Sequence, residues 1–129
     1  MIDNGHSKIK ELDNGLVEII CQDEFMYDVE HIKQNHTVLE QIAKKKGEPL
    51  LVYNVAGKYT SITSEASSYL SKGPHKNFIK AEAFIIHSRT QRLIANLYFL
   101  RIKKPPVPAA YFNKISDAEK WLMKFRSKK

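Results

Sequence analysis

Six consecutive residues, Leu50-Leu51-Val52-Tyr53-Asn54-Val55, constrain this chain more than any other segment. They are apolar at both alternating sets of positions except at Asn54, and Pro49 and Gly57 bound them. Side chains of a strand alternate between faces, so a run that is apolar on both is covered on both, as in the centre of a largely parallel sheet. Parallel neighbours need crossover connections, usually helical. The flanking segments meet that demand. Upstream, Val29, Ile32, His36, Leu39 and Ile42 or Ala43 fall on one helical stripe, with Asp28 as N-cap, Glu30 near the start, Lys44, Lys45 and Lys46 at the end and Gly47 to stop it. Downstream, a helix runs from about Ser64 to Ser71, capped by Thr63, favoured at its start by Glu65 and closed by Gly73-Pro74.

The same reading extends to both ends. Lys8 to Leu12 and Leu16 to Cys21 flank Asp13-Asn14-Gly15, a hairpin signal because Asn and Gly tolerate positive φ. A third strand is predicted from Ala81 to His87, then a helix from about Arg89 to Ile102 that is apolar around much of its circumference and so must be buried on several sides or covered by a partner. Lys103-Lys104-Pro105-Pro106-Val107-Pro108 is a stiff extended connection, and Ala109 to Phe112 a short strand. Ser116-Asp117-Ala118-Glu119 reads as a capping box opening a last helix, on which Ala118, Trp121, Leu122 and Phe125 share a face. The expectation is one α/β domain over residues 1–129, fraying at 1–7 and 127–129. It has a mainly parallel five-stranded sheet with right-handed crossovers, an N-terminal β-hairpin and four helices.

At 129 residues and 43% hydrophobic content the chain can bury a core without disulfide or metal. Its one cysteine, Cys21, sits in an apolar run and reads as a core residue. No stretch resembles a signal peptide or reaches the ~20 apolar residues of a membrane span, which places the expected domain in the cytoplasm. The five histidines lack metal-ligand spacing, and no nucleophile elbow, phosphate loop or dinucleotide fingerprint occurs. Neither enzymatic activity, nor a metal, nor a cofactor is expected.

Charge is uneven along the chain. Residues 1–64 hold 7 Lys or Arg against 10 Asp or Glu, a net −3, whereas residues 65–129 hold 14 against 4, a net +10. Arg89 and Arg92, one turn apart, with Lys103 and Lys104, are the candidate anion-binding residues. Nucleic acid is not the expected partner, because no reader motif accompanies them. Leu97, Tyr98 and Phe99 are the candidate interface on the apolar helix, facing a protein partner or a second copy; a small-ligand carrier for a lipid or anion is the alternative.

The hairpin Leu12-Asp13-Asn14-Gly15, the strand Pro49 to Val55, the Lys104-Pro105-Pro106-Val107-Pro108 segment and the helix start Ser116 to Leu122 together resemble the STAS superfamily of sulfate transporters and anti-sigma factor antagonists. The chain is similar in particular to small bacterial single-domain STAS-like proteins of unassigned activity. The resemblance implies a βα superhelix with strands side by side in chain order, helices mainly on one side, part of one sheet face left open, and a non-enzymatic regulatory or interaction role. It also implies a regulatory serine where the loop after the central strand enters the next helix, in an Asp-Ser-Ser-Gly type sequence. Here that stretch is Thr63-Ser64-Glu65-Ala66, so Ser64 alone keeps a hydroxyl at the expected place and becomes the candidate phosphoacceptor.

Overall fold

The computed structural model describes residues 1–86 and 106–126. Their elements, in chain order, are β1 (Ile2–Asp3), β2 (Ser7–Glu11), β3 (Val17–Cys21), β4 (Met26–Tyr27), α1 (Val29–Lys46), β5 (Leu50–Val55), β6 (Ser61–Ile62), α2 (Ser64–Ser71), β7 (Ile79–Ile85), β8 (Ala109–Phe112) and α3 (Ile115–Met123). Six strands form one sheet ordered β1-β2-β3-β5-β7-β8, and β4 and β6 pair separately. The first two pairings are antiparallel and the next three parallel. At the β2–β3 turn the Leu12 amide donates to the Leu16 carbonyl (2.8 Å), and Asn14 Oδ1 accepts from the Leu16 amide (3.0 Å).

Alternate residues of the same strands feed two separate cores. Val17, Ile19, Leu50 and Val52 pack under Leu39, Ile42 and Ala43 of α1. Leu16, Leu51, Tyr53, Ala81, Ala83 and Ile85 pack against Ala118 and Leu122 of α3. β5 is therefore covered on both faces, as its composition requires. Each fully buried Leu or Ile contributes about 1.5–3 kcal/mol by leaving water, so the two clusters hold the helices to the sheet from opposite sides.

Helix boundaries follow local chemistry. Asp28 caps α1, with His31 Nδ1 accepting from the Asp28 amide (3.0 Å) in return. Gly47 ends it in the left-handed region (φ 76°), where its amide reaches the Ala43 carbonyl at 2.8 Å. Thr63 caps α2, its Oγ1 accepting from the Ala66 amide at 3.1 Å.

Several expectations need correction. The main sheet has six strands rather than five, because residues 1–7 do not fray: β1 pairs with β2, and His6 and Ser7 are buried. The third predicted strand starts and ends two residues earlier, as β7. Three of the four expected helices lie among the described residues; the one expected at 89–102 lies outside them, as do residues 127–129. The predicted capping box does not form. α3 begins at Ile115 behind Lys114, which makes no side-chain cap, and this leaves Ser116 inside the first turn. Helices also occupy both faces, α2 lying beside α1 and α3 covering β5, β7 and β8 from the opposite side. No described helix covers that second face over β2 and β3, where Lys8, Lys10 and Ile20 are exposed. No helix among the described residues is long and apolar enough to cross a membrane.

Candidate functional site

All parallel strands end at one pole of the sheet, and α1, α2 and α3 all start there. In an open α/β sheet this is the end at which ligands and partners are usually bound. Two connections meet at it, residues 22–27 after β3 and 56–62 after β5. Parallel pairing of β4 with β6 sets Met26 opposite Ser61 and Tyr27 opposite Ile62. Further bonds lace the loops together. The Glu24 amide donates to the Lys58 carbonyl (2.7 Å), the Lys58 amide to Asp23 Oδ1 (2.7 Å), and Thr60 Oγ1 to the Gln22 carbonyl (2.9 Å).

This lacing is tight enough to dictate residue identity. A Cβ on Gly57 would lie 2.6 Å from Asp23 Oδ1 and 2.9 Å from the Cys21 carbonyl, so no side chain fits there. Glu24 (φ 56°) and Tyr59 (φ 59°) both occupy the left-handed region, which bulky residues seldom enter. Backbone held this way by its surroundings tends to gather at binding and switch regions. The consequence is an outward display: Tyr59 is 66% exposed and Met26 61%.

Beneath the loops lies a closed polar network. Ser7 Oγ shares hydrogen bonds with Tyr27 Oη (2.9 Å) and His6 Nδ1 (2.9 Å), and accepts from Asn35 Nδ2 at 3.0 Å. His6 Nε2 meets Gln34 Oε1 at 2.8 Å, Asn35 Oδ1 accepts from Asn4 Nδ2 at 2.9 Å, and Tyr27 Oη donates to the His6 carbonyl. Phe25 and His31 pack edge-on against each other, their ring centres 4.8 Å apart, and both lie against the His6 ring. Burial pushes the Cys21 thiol up to about 11 despite a hydrogen bond with Tyr27, and it pushes the Tyr27 hydroxyl well above its ordinary range. Neither group is a ready nucleophile at neutral pH.

The two helix starts are joined as well. Thr63 Oγ1 donates to Asp28 Oδ1 at 2.9 Å, so the cap of α2 leans on the cap of α1. The Val29 amide and then the Thr63 hydroxyl hold the Asp28 carboxyl below the usual carboxylate range. Ser64 is exposed in the first turn of α2, one position past the cap, on an open groove of about 480 Å³ shared with Val29, Glu65, Ser68, Tyr69 and Lys72.

A second ionisable cluster lies between α1, α2 and β7. The His36 and His75 rings sit 5.3 Å apart, with Phe78 edge-on to His36 at 5.5 Å. His75 is 1% exposed, and its Nε2 is 3.4 Å from Glu82 Oε1 but not aligned for a hydrogen bond. His36 Nδ1 is buried without a partner. Burial, and secondarily His75, pushes His36 down to about 4.

Residues 10–126 match the family described as a domain of unknown function, DUF7793. The chain belongs to the DUF7793 family. No curated protein matches its sequence. Among solved structures, this DUF7793 chain is similar to an uncharacterized DUF3478 family protein with a SpoIIAA-like fold from Shewanella loihica PV-4. The TM-score is 0.59 at 17% identity, over 95% of this chain and 98% of that one. At that identity the likeness establishes the fold, which is the STAS-like α/β fold that the sequence resembles.

Of the residues singled out from the DUF7793 sequence, Ser64 alone lies at the described pole. Arg89, Arg92, Lys103 and Lys104, and the interface candidates Leu97, Tyr98 and Phe99, lie outside the described residues. Sequence reasoning missed Glu24, Met26, Gly57 and Tyr59. Gly57 was read only as the boundary of a strand, and nothing in the letters Lys58-Tyr59-Thr60 announces a left-handed tyrosine.

Proposed function

We propose that this DUF7793 chain is a cytoplasmic, non-enzymatic regulatory or protein-interaction domain of STAS type, docking a protein partner through the paired loops 22–27 and 56–62. One observation carries the reading: a laced, conformationally constrained loop pair displays Met26 and Tyr59 to solvent at the pole where the strands end. An apolar pair held out on rigid backbone loses little entropy on binding, and aromatic anchors of this kind dominate protein interfaces. The non-enzymatic part rests on the STAS resemblance and on a sequence without nucleophile elbow, phosphate loop or dinucleotide fingerprint. The open grooves near the surface suit docking better than enclosure of a lipid. Ser64 remains the position for a regulatory phosphate under the STAS resemblance, although the neighbouring Glu65 works against an added negative charge.

The test is co-purification from the native host with tagged wild type and with a Met26→Ser, Tyr59→Ser variant. The reading expects a protein that accompanies the wild type and is depleted about tenfold or more with the variant, as for loss of a hot spot, while the melting temperature is retained. Equal recovery with both chains would overturn it.

A further inference from the structure

Among the described residues, charge is sorted by pole. Every described helix runs antiparallel to the parallel strands, so acidic first turns gather at the loop pole and the basic last turns of α1 and α3 lie towards the other, as helix dipoles favour. The loop pole exposes Asp23, Glu24, Asp28, Glu30, Glu65 and Asp117 against Lys58 and Lys114. The opposite pole exposes Lys44, Lys45 and Lys46 at the end of α1, Lys72 and Lys76 after α2, and Lys124 and Arg126 after α3, against Glu11, Asp13 and Glu48.

The basic pole also contains a groove of about 420 Å³. Met123 and Phe125 line it over the buried Leu50 and Leu51, and so do Lys46, Lys80, Arg126 and Glu48. The two cations converge: the Arg126 guanidinium lies 3.6 Å, and the Lys46 ammonium 3.8 Å, from where a Cβ on Gly15 would sit. Lys46 donates to the Gly15 carbonyl (2.9 Å) and Arg126 contacts Met123 Sδ (3.8 Å), and neither meets a carboxylate among the described residues. Two like charges brought together beside the Met123 and Phe125 side chains fit a ligand that carries anionic groups around an apolar one.

The loop pole of the same chain offers such groups, with Tyr59 and Met26 projecting near Asp23, Glu24 and Asp28, and with Lys58 over the Tyr59 ring at 5.5 Å as the one cation beside them among the described residues. We infer that the groove at the basic pole receives the loop pole of a second copy of this chain. The inference rests on the proposed docking role of the loops and names their partner. Because the two surfaces lie at opposite ends of one sheet, the contact is heterologous. It leaves a free end on each side and extends into a chain of copies rather than closing a symmetric pair.

Light scattering after size exclusion tests this. In about 50 mM salt the weight-average mass rises with concentration beyond that of a dimer, and in about 500 mM salt it returns to the monomer value, because exposed charges are then screened. Met26→Ser, Tyr59→Ser blocks one end, and Lys46→Glu, Arg126→Glu blocks the other. Each variant alone is monomeric, and an equimolar mixture gives a heterodimer that grows no further, because each partner retains the end that the other lacks. Melting temperatures near the wild-type value exclude misfolding as the cause. A wild type that stays monomeric in low salt overturns the inference, as does a closed dimer that survives both pairs of substitutions. A monomer whose loop variant still loses a different co-purifying protein overturns this inference alone and leaves the docking role of the loops standing.

Discussion

Asn35 and His36 are adjacent on α1 and opposite in circumstance. Asn35 is buried and fully engaged, donating to Ser7 and accepting from Asn4, in a network that ties the first strands to the helix beneath the loop pole. His36 faces Tyr69, His75 and Phe78, and its buried Nδ1 has no partner. A satisfied buried network specifies one geometry, whereas a buried polar atom without a partner is a standing cost. The contrast accounts for how bulky residues can be held in left-handed backbone at one end of the molecule: the platform below Tyr59 and Glu24 is bonded throughout. The histidine pair, by comparison, is where stability is most easily changed.

The largest effect that sharpens this contrast is pH dependence. Native His36 takes a proton only near pH 4, while in the unfolded chain it does so near 6.5. Between these values the unfolded chain binds more protons, so the contribution is intact above pH 6.5 and is lost as pH falls towards 4, amounting to about 3 kcal/mol. Urea unfolding at pH 7 and at pH 4.5 should show His36→Phe keeping most of the stability that wild type loses over this interval. Equal losses in the two proteins would break the assignment.

A smaller effect is expected on the other side of the comparison. Asn35→Ala leaves Ser7 and Asn4 short of partners and should cost about 2 kcal/mol in urea unfolding at pH 7. Combined with Ser7→Ala, the loss should be less than additive by at least about 0.5 kcal/mol, because one network is being removed twice. Full additivity would mean that Asn35 acts through something other than the Ser7 bond.

What the sequence announced and what it concealed divide along the same physical line. β5 was legible because a strand covered on both faces must be apolar at every position, and α1 because its cap, stripe and Gly47 agree. The start of α3 was misread: Ser116 to Glu119 carries the letters of a capping box, but the helix begins two residues earlier, at Ile115, and Lys114 takes the cap position without a side-chain bond. Residues 1–7 read as a loose end because their partners, Gln34, Asn35 and Tyr27, lie 20 or more positions away. The loop pole was illegible for the same reason. Gly57 is required by Asp23 and Cys21, and the left-handed turn at Tyr59 belongs to a loop whose bonds to residues 22–25 are all long-range. Charge segregation was half visible. The two halves of the chain differ in sign, but the fold divides charge between poles, and Lys44, Lys45 and Lys46 from the acidic half join the basic end.

The central claim is that the loop pole is the docking surface, and site-specific photocrosslinking in the native host tests it most directly. A benzophenone side chain placed at Tyr59 should yield a discrete crosslinked protein product, whereas the same group at Lys120, exposed on α3, should yield none. Crosslinking from Lys120 but not from Tyr59, or from neither position, would contradict the account.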